Sequence, residues 1–175
     1  MKLSGQLTDY QATQLLDALC VDEKSDVAEI ALLMAAELGE VVVMAEQMAK
    51  IEALASEAAV YVNPQQRPEL LANALCHFMK ITKGFLGNSE DYYQADNSFL
   101  NKVLERRLGI PISFAILYLS IARRLGVTNM VGVGFPGHFL VKIDADKPIL
   151  IDPYFHKIIQ EDECEERLQH VYGKH

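Results

Sequence analysis

The stretch RRLGIPISFAILYLSIARRLGV, residues 106–127, decides the fold. Between the doublets Arg106-Arg107 and Arg123-Arg124 the run from Ile110 to Ala122 is almost wholly apolar. Pro111 suits the first position of a helix, because its missing N–H would have no partner there and its φ is already helical. A helix that is apolar on every side cannot lie on a surface, so it must be enclosed on most faces and form the core. Ser113 poses the functional question. Either its hydroxyl is a nucleophile at the head of a buried helix, or it bonds a backbone group left free in the first turn.

Working outward, Asp26 to Val62 reads as helical, with Asp26 and Glu29 in capping-box spacing and Gly39 as a break between two helices. Asn63-Pro64 marks a turn, and Pro68 opens a helix over PELLANALCHFMKITK that stops at Gly84. GFLGNSEDYYQADN then reads as a loop. Asn97 or Ser98 is expected to cap a short helix FLNKVLERRL, with Gly109 supplying its left-handed terminus. After Gly126 the period changes: NMVGVGF, HFLVKI and PILIDPY are short and rich in Val, Ile and Phe, and they predict antiparallel strands. The tail EDECEERLQHVYGKH places acids before bases, the order that suits a helix dipole.

The expected fold class is therefore α+β: a helical N-terminal half and a buried core helix packed on a small antiparallel sheet. At 175 residues the chain is expected to be a single domain, with a helical part at 1–83, a core at 84–160 and a C-terminal helix at 161–175.

A net charge of −8 and a pI near 5.1 argue against nucleic acid as a partner, since phosphate binding needs clustered cations. The two Arg doublets are expected to be solvated helix ends. Cys20, Cys76 and Cys164 are widely spaced and lack C-x-x-C, so neither a disulfide framework nor a zinc site is indicated, and a reducing compartment fits. MKLSGQLTDYQ lacks the apolar region of a secretory signal, and the Ile110–Ala122 run falls short of the roughly 20 residues that a membrane span needs. A cytoplasmic location is expected, with no membrane partner, no cofactor and no bound metal; self-association is left open.

Gly132, Gly134 and Gly137 match G-x-G-x-x-G, but a dinucleotide loop needs its last glycine to open a helix, and a β-patterned segment follows instead. His138 and Asp152 lie on strands flanking the turn DADKP. A three-residue loop centred on Ala145 would set them directly opposite each other on one face, where a carboxylate fixes the tautomer of an imidazole and supports its charged form. The bland alternative is an ordinary polar pair at a strand end. Metal binding by His138, Asp152 and His156 lacks a recognisable ligand spacing.

DYYQADNSFLNKVLERRLGIPISFAILYLSIARRLGV, followed by VGFPGHFLVKI and LIDPY, resembles the transglutaminase-like domain of the bacterial SirB-type regulator family, over roughly residues 84 to 155. The resemblance implies a papain-like or transglutaminase triad: a cysteine at the head of the core helix, a histidine on the next strand and an aspartate on the strand after. His138 and Asp152 fall on the matching positions, whereas the cysteine position falls on Pro111, which has no nucleophilic atom. Ser113, two residues on, is turned about 200° around a helix axis from that position. A serine would also need strong general-base help, since it lacks a thiol's partial ionisation. The resemblance thus implies a domain that has lost thiol chemistry and acts as a regulatory or protein-interaction module, a pseudoenzyme with a protein as its partner. Relatives of this type often carry tetratricopeptide helices after the domain. The alternative is a hydrolase or acyl-transfer enzyme using Ser113, His138 and Asp152, with Ser113 Oγ in hydrogen-bonding reach of the imidazole. Cys76, beside His77 on a helix, is expected to be a small buried apolar residue.

Overall fold

The computed structural model describes residues 25–173. The readings of Cys20 and of the N-terminal leader region lie outside the described residues. Helix α1 (Val27–Glu37) starts at Asp26, whose side chain accepts the Ala28 N–H, and ends before Gly39 in a left-handed conformation. Helices α2 (Met44–Ala58) and α3 (Pro68–His77) follow, the latter with proline in its first turn as expected. The segment expected to extend α3 instead widens into a π-helical turn, Phe78–Thr82, which buries Phe78 and Met79. Gly84, with φ 69°, ends it.

The predicted loop holds a two-residue strand, β1 (Leu86–Gly87), parallel to β2 (Leu108–Gly109), with helix α4 (Leu100–Arg106) between them. Two expectations fail here. Arg107 takes the left-handed position at the end of α4, not Gly109. Gly109 is needed for space, since a Cβ there would sit 2.7 Å from Ser113 Oγ. Neither Asn97 nor Ser98 caps α4, because Phe99 occupies the cap position without a side-chain bond. The Asn97 side chain is fully buried, and it ties down the loop before it.

The core helix α5 (Pro111–Arg124) packs against α1, α2 and the strands β3 (Met130–Phe135) and β4 (His138–Ile143). Phe114, Leu117, Tyr118 and Ile121 are completely buried, as an all-round apolar helix requires. Its C-terminal arginines are not free solvated ends. Arg124 bridges Asp26 and Glu52, and Arg123 donates to the Ser25 carbonyl, which fastens α5 to the acidic N-terminal helices.

The sheet is antiparallel in the order β3-β4-β5-β6, with β5 at Ile149–Asp152 and β6 at Lys157–Ile159. Gly137, with φ 68°, turns the β3–β4 hairpin, so the glycine motif lies in a hairpin with no helix after it. The β4–β5 connection spans the whole of 144–148, and Lys142 pairs with Leu150. Extending that register puts Asp152 across from Leu140, so it is a diagonal neighbour of His138 and not its direct partner. The expected three-residue loop was two residues too short. An even-numbered slip leaves every side chain on its own face, and so the two residues still meet. Helix α6 (Glu161–Tyr172) closes the described chain.

Candidate functional site

At the head of α5, Ile110 is extended and Pro111 begins the helix. Facing this turn is the start of β4. Together they form a shallow cleft of about 230 Å³ lined by Tyr92, Ile110, Pro111, Ile112, His138 and Phe139. The walls are aliphatic and aromatic, and the imidazole supplies the ionisable group.

Behind the cleft, His138 Nε2 lies 2.9 Å from Asp152 Oδ1, although the ring N–H does not point along that line. The contact is a close electrostatic pairing and not a well-aligned hydrogen bond. Asp152 is completely buried, and the same Oδ1 accepts the N–H groups of Tyr154 at 3.0 Å and Phe155 at 3.3 Å. One carboxylate therefore shapes the β5–β6 turn and steers the histidine.

That turn sends His156 back into the core with φ 52°, a conformation a non-glycine residue adopts only at a cost. Its Nδ1 is 2.9 Å from the Tyr118 hydroxyl, and its ring stacks near Phe114 and Tyr118. Cys76 of α3 and Tyr118 influence each other's protonation. Burial is the main influence on all three groups. It pushes the Cys76 thiol up to about 11, and it raises the Tyr118 phenol well above its ordinary range, with Cys76 adding to the effect. His156 is lowered to about 4 by burial and then by Lys80, against weaker opposing effects of the Phe85 backbone and Asp152. Cys76 is thus a protonated, inert thiol, in line with its reading as a small buried residue.

Ser113 is almost fully buried. Its Oγ accepts the Ile110 N–H at 3.1 Å and donates to the Ile110 carbonyl at 3.0 Å. Both bonds are local to the first helical turn. The structure brings His138 and Asp152 together and sets Ser113 on the backbone of Ile110. Among the described residues, no three His, Cys, Asp or Glu side chains are grouped to hold a metal ion, and no helix is long and apolar enough to cross a membrane.

Sequence reasoning missed the Tyr118–His156 pair. One signal was present: Tyr118 is a phenol inside an otherwise aliphatic core helix, and a buried phenol needs a hydrogen-bond partner.

The profile of a family described as the transglutaminase-like superfamily matches residues 45–175. A UPF0162 protein of Xylella fastidiosa is 53% identical over 72 residues, 41% of this chain and 25% of that protein. A UPF0162 protein of Pseudomonas aeruginosa is 30% identical over 159 residues, 90% of this chain and 57% of its own length. Human F-box only protein 21 is 55% identical over 58 residues, 33% of this chain and 9% of that protein. The chain thus spans about a quarter of the Xylella relative and somewhat over half of the Pseudomonas one. No solved structure matches the chain.

Proposed function

Because this chain belongs to the transglutaminase-like superfamily, we propose that it is a member of the SirB regulator type that has given up thiol catalysis and serves as a protein-interaction module. The observation that carries this reading is Pro111 lining the cleft into which His138 faces. On the resemblance, that is the cysteine position, and a pyrrolidine ring offers neither a lone pair to attack with nor a proton to give up. The serine nearest to it supports the same reading, since its hydroxyl is spent on both polar groups of Ile110. An active Ser113 would have to break both bonds and rotate towards the imidazole.

What remains suits recognition. An imidazole steered by a buried carboxylate sits in an apolar slot, and Tyr92, Tyr93, Ile112 and Phe155 stand exposed. Exposed aromatic and aliphatic side chains grouped in this way are the usual anchors of protein contacts.

The test is activity-based labelling with a fluorophosphonate and an iodoacetamide probe, comparing wild type with His138→Ala. The reading expects identical labelling of the two proteins, limited to slow alkylation of accessible cysteines. Serine or cysteine labelling that disappears in His138→Ala would establish an active triad and overturn it.

A further inference from the structure

Residues 84–98 carry Glu90, Asp91 and Asp96 and no basic residue. Asp96 pairs with Arg106, which also bonds Gln94. Glu90 and Asp91 are exposed, and among the described residues neither side chain meets a cation. Next to them stand Tyr92 and Tyr93, edge to face at 5.3 Å, with Tyr93 94% exposed. Tyr92 is shared with the cleft that holds Pro111 and His138. The acids, the tyrosine pair and the apolar slot therefore form one continuous surface.

This loop is not left to move freely. Asn97 Nδ2 donates to the carbonyls of Asp91 at 2.8 Å and Tyr92 at 3.0 Å, and Asn97 Oδ1 accepts from Asn88 Nδ2 at 3.0 Å. Asn88 Oδ1 takes the Asp91 N–H. Two buried asparagines thus fix the backbone that presents Glu90, Asp91 and the tyrosines, so little ordering remains to be done on binding. A second aromatic row continues the surface: Tyr92 meets Tyr154 at 5.9 Å, and Tyr154 meets Phe155 at 5.0 Å.

We propose that this surface docks an extended basic segment of a partner protein, with an arginine of the segment over the Tyr92–Tyr93 pair and against Glu90 and Asp91, and an aliphatic residue two positions away in the cleft beside Pro111. Charge complementarity selects the partner: unpaired carboxylates beside exposed phenol faces match a guanidinium, which stacks on aromatic rings and bonds carboxylates with its flat edge. The adjacent acidic-aromatic and apolar parts match a strand-like ligand, because alternate side chains of an extended peptide lie on one side and reach the same surface. The proposal rests on the reading of the cleft as a binding site and names its ligand.

The experiment uses the whole chain, ¹⁵N-labelled, titrated by NMR with three capped seven-residue peptides in which serine occupies every second position and the positions between alternate leucine with arginine, glutamine or glutamate, so that both anchors share one face. The arginine peptide is expected to bind most tightly, to move the amide signals of Tyr92, Tyr93, Ile112 and His138, and to weaken with added salt. Tyr93→Ala should weaken it about threefold, and Glu90→Gln with Asp91→Asn about fivefold; at these exposed positions the fold is expected to persist, as the unchanged remainder of the spectrum would confirm. Equal binding of the glutamine peptide, binding of the glutamate peptide, or shifts located elsewhere would each overturn the proposal. A protein that binds the arginine peptide yet shows His138-dependent labelling would keep the docking surface and lose the non-catalytic reading, and the reverse result would do the opposite.

Discussion

Protonation of His156 should destabilise this protein as pH falls. In the folded chain its imidazole is lowered to about 4 from an ordinary 6.5, with burial the main cause and Lys80 the second. A base whose folded value is depressed takes up its proton more readily when unfolded, so the unfolded state gains protons first as pH falls. The stability is intact above pH 6.5, declines between 6.5 and about 4, and does not change further below that on this residue's account. The shift of about 2.5 units corresponds to roughly 3 kcal/mol, with about half of it gone near pH 5.2. His156→Asn is the suitable control. Asparagine tolerates the left-handed backbone at this position, and its side-chain oxygen takes the place of Nδ1 in accepting from Tyr118. The chain has no tryptophan, so urea unfolding is followed by far-UV circular dichroism from pH 7 to pH 4. Wild type should lose about 3 kcal/mol more than His156→Asn across that range, once effects common to both proteins cancel. Parallel curves would refute the buried neutral imidazole.

Three other substitutions probe the same architecture. Tyr118→Phe removes the hydroxyl paired with His156 Nδ1 and should cost about 1–3 kcal/mol in urea unfolding at pH 7, since it leaves a buried ring nitrogen without its partner. Asp152→Ala should be more damaging than Asp152→Asn by about 1–2 kcal/mol, because asparagine keeps an oxygen for the Tyr154 and Phe155 N–H groups and alanine keeps none; equal losses would contradict the carboxylate's role in the turn. Gly109→Ala should cost about 1–3 kcal/mol, read as a lowered melting temperature, because its methyl would press on Ser113 Oγ and the Phe114 ring.

The sequence was most informative where one residue settles a local choice. Asp26, Pro68 and Pro111 mark helix starts because a side-chain acceptor or a missing N–H is favoured only there. The strands 130–135, 138–143 and 149–152 were legible from their period. Contacts between distant segments were not. The β1–β2 pair spans two residues on each side and leaves no periodic trace, and β6 is only KII after a turn. The left-handed residue after α4 is Arg107 although Gly109 is at hand, because close packing on Ser113 claims the glycine. At the site, the pairing of His138 with Asp152 could be read despite the wrong loop length, because strand parity survives a two-residue slip. The left-handed backbone of His156 had no local signature, and its contact with Tyr118 was signalled only by a phenol set in an aliphatic helix.

Position 111 and His138 line one cleft, so a thiol at position 111 would lie beside the imidazole. Pro111→Cys would place a sulfhydryl there, and its alkylation by iodoacetamide at pH 6 can be timed by mass spectrometry alone and combined with His138→Ala. The account predicts alkylation at least about tenfold faster than for an ordinary exposed cysteine, because a helix N-terminus and a neighbouring imidazole favour the thiolate. Adding His138→Ala should remove that advantage. An ordinary rate, the same with and without the histidine, would contradict it.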